Sequence, residues 1–313
     1  MLGCIFINYR RKMNNTFHGF CRKFFSDNVY GGLLIVLSTA ASATTNGTTH
    51  SISKDLPPME ILFFKCLMGL LLLLIVYRQS FFSFLKTDIL QIHSLKGACG
   101  ALGNWAWISA VQCLPLAESS ALSITSAFFT SLGGMLFFKE KFHRKAWIAI
   151  IVGFTGVLLI LHPSQKIFSY YAFLPLLSAV FFSASSLFVK RLSQDDSSQT
   201  TLIYLLGFMA FFALLSQIHT PWIWPAFNNA PKLAVIGCSY VVTQVCLIEA
   251  YTYAHTSFLA PFKYARFPAS IFTGVLFFAE IPPLTTLIGG GVILLSYGWL
   301  IRVEYKKRRY YGV

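Results

Sequence analysis

Two stretches lying 140 residues apart carry the reading of this chain: Gly134-Met135-Leu136-Phe137-Phe138-Lys139-Glu140 and Gly274-Val275-Leu276-Phe277-Phe278-Ala279-Glu280. Each closes an apolar run. Each is followed by a short charged or proline turn and then a glycine-rich run, Gly153-Phe154-Thr155-Gly156 in one copy and Gly289-Gly290-Gly291 in the other. Ala110 and Ala250 match in the same frame. Leu-Phe-Phe-x-Glu preceded by Gly, repeated at one offset, is the mark of an internal duplication.

Working outward from these stretches, windows of roughly 20 mainly apolar residues, the length that crosses a bilayer core, recur ten times. They lie at about 31–49, 59–77, 94–113, 117–138, 145–162, 170–189, 200–217, 232–253, 257–279 and 284–302. The breaks carry turn and interface residues, such as Lys54-Asp55-Leu56-Pro57-Pro58 and Ile281-Pro282-Pro283. Composition agrees. Of 313 residues 56% are hydrophobic and 12% charged, with mean hydropathy +0.63. Half the usual share of charge, about 25% in globular domains, cannot clothe a water-soluble surface, and such hydrophobicity excludes disorder.

The net charge of +14 would suggest nucleic-acid binding in a soluble protein. Its distribution says otherwise. With the N-terminus inside, the cytoplasmic segments hold Arg10, Arg11, Lys12, Arg22 and Lys23, then Arg78, Lys86 and Lys96, then Lys139, Lys141, Arg144 and Lys145. Lys190 and Arg191 follow, and Arg302, Lys306, Lys307, Arg308 and Arg309 close the chain. The outer loops hold only Lys54, Lys166 and Lys232. Short cytoplasmic loops are enriched in Lys and Arg, so this alternation predicts ten helices with both termini cytoplasmic and no nucleic-acid partner. No hydrophobic stretch long enough for a signal peptide precedes the first span, and Met13 is an alternative start.

Five spans per copy is an odd number, so the second copy must enter the membrane upside down. The predicted fold is all-α and integral to the membrane, with ten transmembrane helices as two inverted five-helix repeats. Its parts are a basic cytoplasmic arm over 1–30, a first repeat over 31–165, a second over 166–302 and a basic cytoplasmic tail over 303–313. Inverted repeats belong to carriers that open a midplane site alternately to each side.

Ten spans, the 5+5 repeat and a fourth helix ending in Leu-Phe-Phe-x-Glu before a glycine-rich fifth resemble the drug/metabolite transporter superfamily, in its EamA-type branch, from about residue 30 onward. The resemblance implies a secondary transporter in a bacterial inner membrane, moving a small polar metabolite, amino acid-like or nucleoside-like, by alternating access. Within the group, Ala260-Pro261-Phe262-Lys263-Tyr264 and Phe63-Phe64-Lys65 are similar to runs of the S-adenosylmethionine uptake carriers of intracellular bacteria, while Arg266 departs from that pattern.

Ionisable residues inside spans are functional candidates by default, and five qualify: Lys65, Glu118, Glu249, Lys263 and Arg266. At about 1.5 Å rise per residue, Lys65 and Glu118 share the outer half and Glu249 and Lys263 the inner half. The expectation is that each pair neutralises itself and serves gating or coupling. Arg266, nearer the midplane, is left to anchor an anionic group of the substrate with its planar fork. Two plainer readings compete. Lys65 and Glu118 can snorkel to the interface, and Arg266 can bond to carbonyls freed by Pro261 and Pro268. Asn104, Trp105 and Trp107 on the third span, Gln244 on the eighth and Tyr264 on the ninth are candidates to complete a pocket. Gly97, Gly100 and Gly103 lie on one helix face and predict close helix packing.

Neither a proton nor an exchanged co-substrate is excluded as coupling partner, nor a monomer or a homodimer as the assembly. Seven cysteines form no metal-ligand spacing, and no cofactor or metal is expected. A membrane enzyme is the rival from another class, since His50-x-x-x-x-Asp55 matches an acyltransferase pattern. That pair sits in a short polar loop, and no nucleophile triad or phosphate loop accompanies it. A channel is the remaining alternative.

Overall fold

The computed structural model describes residues 27–78, 80–123, 125–138, 148, 151–152, 155–156, 159, 170–193, 195–218, 222–225, 227–253 and 266–311. Among the described residues every regular element is helical: α1 (Asp27–Ile52), α2 (Pro58–Val76), α3 (Leu90–Cys113), α4 (Leu116–Ser123), α5 (Ser126–Phe138), α6 (Phe173–Leu192), α7 (Ser198–Ser216), α8 (Ala230–Tyr253), α9 (Arg266–Phe278) and α10 (Leu284–Tyr311). Short 3-10 turns lie at Phe81–Leu85, Tyr170–Ala172 and Phe227–Asn229. The few described positions of the expected fifth span, such as 148, 152, 155 and 159, are helical as well.

Local chemistry sets the boundaries. Pro58 occupies the first turn of α2, where its missing N–H costs nothing. Ser197 caps α7, its hydroxyl accepting from Thr200 N at 3.1 Å. In α1 the hydroxyls of Thr39, Thr44, Thr45 and Thr48 donate to carbonyls four residues back. A polar helix can thereby satisfy itself within a bundle that offers no water.

The structure differs from the sequence reading at two places. The expected continuous helix over 117–138 stops at Ser123 and resumes at Ser126. Beside the break Ser123 donates to Ser120 O at 2.9 Å and Thr125 to Leu122 O at 2.7 Å. At the other end α10 runs on past the expected tenth span, through the basic residues to Tyr311.

Packing is crosswise between the two halves of the chain. α1 runs along α8 and touches α9, while α6 runs along α3 and α5. α2 lies on α7 and α8, and α7 on α2 and α3. The glycine face of α3 permits this. A Cβ at Gly100 would meet Met209 Sδ at 3.0 Å and one at Gly103 would meet the Phe182 ring at 2.9 Å. Branched side chains there would push α3 off α6 and α7. Large apolar side chains such as Ile75, Phe82 and Phe137 face outward, as expected of a surface solvated by lipid rather than water. By length and composition α2, α6, α7 and most of α8 can each cross a membrane.

Candidate functional site

Helices from both halves enclose a cavity of about 180 Å3. α1 contributes Ser38, Thr45 and Asn46; α2 Lys65; α3 Lys96, Asn104 and Trp107; α8 Tyr240, Thr243 and Gln244; and α9 Arg266. Ser123 and Ser126, flanking the break between α4 and α5, complete one wall opposite Ser185 and Ser186 of α6.

Among the described residues three cations line this space, and each is held differently. Lys65, 3% exposed, donates from Nζ to Asn104 Oδ1 at 2.6 Å and lies 4.1 Å from the centre of the Tyr240 ring. Asn104 is oriented for this by its own Nδ2, which donates to Gly100 O at 2.8 Å. Arg266 stacks its guanidinium carbon 4.4 Å from the centre of the Trp107 ring. That ring is fixed by Trp107 Nε1 donating to Asn46 Oδ1 at 3.1 Å. Among the described residues Arg266 Nε has no hydrogen-bond partner.

Lys96 is 1% exposed, and its Nζ likewise finds no partner among the described residues. No Asp or Glu is among the described residues that line the cavity. Neutral oxygens and aromatic faces soften a buried cation, but they do not cancel its charge, and an unneutralised cation in a low-dielectric interior is costly.

Of the candidates read from sequence, Lys65, Asn104, Gln244 and Arg266 converge here. Trp107 joins them. Trp105, two positions away and about 200° around the helix, does not line the cavity. Glu118 and Glu249 are half-buried and also lie off it. The expected Lys65–Glu118 pairing is corrected: the lysine amine bonds to the Asn104 amide instead. Lys263 and Tyr264, and with them the expected Glu249–Lys263 pair, lie outside the described residues.

Lys96 requires a second correction, since the charge alternation assigns it to the cytoplasmic edge while the structure buries it against the cavity. A signal was present: Lys96, Asn104 and Trp107 are spaced by eight and three residues and share a helix face. Tyr240 was missed as well, and its four-residue spacing from Gln244 was the corresponding signal.

Away from the cavity lining, two polar contacts join the halves of the chain. In one, Glu280 Oε2 accepts from Leu116 N at 2.9 Å and Oε1 lies 3.2 Å from His50 Nε2. The turn that delivers Glu280 has Ala279 at φ 53°, in the left-handed region, and Glu280 N donates to Gly274 O. Asp55 accepts from Asn229 Nδ2, so His50 and Asp55 serve different contacts and form no catalytic pair. In the second, Asp196 Oδ2 lies 2.7 Å from His93 Nε2 and accepts from Thr87 Oγ1 at 2.7 Å.

The EamA-like transporter family model matches residues 29–162. Across 288 residues the chain is 30% identical to the riboflavin transporter of Vibrio cholerae, covering 89% of this chain and 95% of that one. It is 29% identical over 273 residues to the pseudopaline exporter CntI of Pseudomonas aeruginosa, covering 85% and 94%. To the S-adenosylmethionine uptake transporter of Rickettsia bellii it is 23% identical over 273 residues, covering 87% and 93%. A solved crystal structure superposes with a TM-score of 0.63 over 89% of this chain and 96% of that one, and at 15% identity this shows the fold alone. A helical bundle with a cavity between its halves and similarity over most of its length to named carriers is an integral membrane transporter for a small metabolite rather than an enzyme: the chain belongs to the EamA-like transporter family of the drug/metabolite transporter superfamily.

Proposed function

We propose that the chain is a bacterial inner-membrane secondary carrier for a small polar metabolite bearing an anionic group, working by alternating access with both termini in the cytoplasm. One observation carries this reading. A cavity walled by both halves of the chain is lined by Lys65, Lys96 and Arg266 and, among the described residues, by no carboxylate. Arg266 over Trp107 is the anchor, and Lys65 on Asn104 is its neighbour. Gln244, together with Lys263 and Tyr264, completes the substrate contacts.

The inverted five-helix repeat is supported by the reciprocity of the packing. The first span of each half lies on the third of the other, and the second spans lie on each other. That is the pattern a two-fold axis relating the halves produces. On this reading the Glu280–His50 contact closes the outer end and His93–Asp196 the inner end. Glu118 and Glu249 are the candidates for gating or for a coupled proton; exchange against a co-substrate is the alternative.

A second reading, uptake or exchange of S-adenosylmethionine, draws support from the Rickettsia relative. The cavity weighs against it, because a sulfonium would sit among three like charges. Transport by Arg266→Gln and Arg266→Lys in proteoliposomes tests the anchor. The Gln variant, with normal yield, should lose transport and the Lys variant keep a fraction of it. Wild-type transport in Arg266→Gln sinks the anchor. Trans-stimulated counterflow separates a carrier from a channel.

A further inference from the structure

We infer that Lys96 is a second anion-binding position, so that the cavity takes an elongated metabolite with an anionic group at each end, carboxylate or phosphate. The inference rests on the carrier reading and adds the charge class of its substrate.

The argument is one of charge balance and position. A single anionic group at Arg266 leaves uncompensated two of the three cations that the described residues bring to the cavity. Lys65 has the Asn104 oxygen and the Tyr240 ring. Among the described residues Lys96 has neither kind of partner, and it is almost fully buried. Asp196, which reaches α3 one turn away at His93, has its Oδ2 engaged by His93 and Thr87. A buried ammonium without a partner is unfavourable unless a ligand completes it.

Lys96 precedes Asn104 by eight residues, about 12 Å along α3, and helical side chains lean toward the N-terminus, which sets its amine apart along the helix from the Lys65–Asn104 contact. A second group at the far end of the same molecule satisfies it where it stands.

The test uses purified full-length protein in proteoliposomes, incubated with a small-metabolite extract of bacterial cells, with and without a pH gradient. Accumulated compounds are identified by mass spectrometry against protein-free vesicles. Compounds enriched by the wild type should carry at least two anionic groups at neutral pH. Lys96→Gln should lower their accumulation at least about tenfold, with Lys96→Arg retaining most of it, both variants being checked for a wild-type elution profile.

Enrichment of compounds with a single anionic group, equal in the wild type and Lys96→Gln, overturns the second position and leaves the carrier reading standing. No enrichment of any compound above protein-free vesicles counts against the carrier reading itself. If Lys96→Gln fails to elute as the wild type, Lys96→Arg and Lys96→Met decide by the same ratio.

Discussion

Lys65 and Asn104 meet across the cavity at 2.6 Å, the amide oxygen facing the ammonium because the amide nitrogen is tied to Gly100 O. An amide oxygen here holds the lysine without neutralising it, which an aspartate would not do. Asn104→Asp should therefore fold normally, with unchanged or higher thermal stability, while transport falls at least about tenfold because the lysine is now paired internally. Asn104→Leu removes the acceptor and should lower stability instead, by about 2 kcal/mol. Full transport in Asn104→Asp would mean that the charge at Lys65 is not used.

Lys96 supplies the opposite case, a residue whose removal should stabilise. Its buried amine lacks a partner among the described residues, and exchanging an unpaired buried charge for a neutral side chain relieves desolvation. Lys96→Gln should raise the melting midpoint of the detergent-purified protein by about 2–4 °C, while transport declines. Binding sites often carry this trade between stability and activity. A midpoint that falls would indicate that the amine makes a structural contact.

The all-helical, membrane-spanning character and the buried charges were legible because each depends on composition within a window or on depth along a helix. Rotation about the helix axis was not. Trp105 and Trp107 are equally deep, yet only Trp107 lines the cavity, and sequence offered both. Lys96 failed for a related reason. Near the end of a span a lysine either points to the interface or turns inward, and counting charges by loop assumes the first. The split of α4 from α5 lies beside the hydroxyl-to-carbonyl bonds of Ser123 and Thr125, which a hydropathy window cannot register. The signature glutamate gained meaning only from tertiary structure, where Glu280 joins α9 to α1 and α4.

That junction makes its own prediction. His50 Nδ1 lies 2.8 Å from Val111 O and Nε2 3.2 Å from Glu280 Oε1. The ring thus bridges α3 and the turn after α9. Glu280→Gln brings one side-chain oxygen that can serve Leu116 N or His50, but not both as strongly, and Glu280→Ala serves neither. Thermal stability should fall in the order wild type, Gln, Ala, with the Ala variant lower by about 2 kcal/mol. Equal loss in both variants would assign the whole effect to charge rather than to the count of bonds.

Orientation can be read from a thiol already present. Cys113 ends α3 and is a free, exposed cysteine close to Leu116 and hence to the Glu280 contact. With both termini in the cytoplasm, α3 must deliver this residue to the outer surface. A membrane-impermeant maleimide should then label it in intact spheroplasts, and Cys113→Ser should abolish the signal. Cys238 is also exposed in the bundle, but two turns inside α8 it faces lipid, where the thiolate that reacts scarcely forms. Labelling of Cys113 only in inverted vesicles would reverse the topology. The Glu280 contact would then close the cytoplasmic end, and His93–Asp196 the outer one.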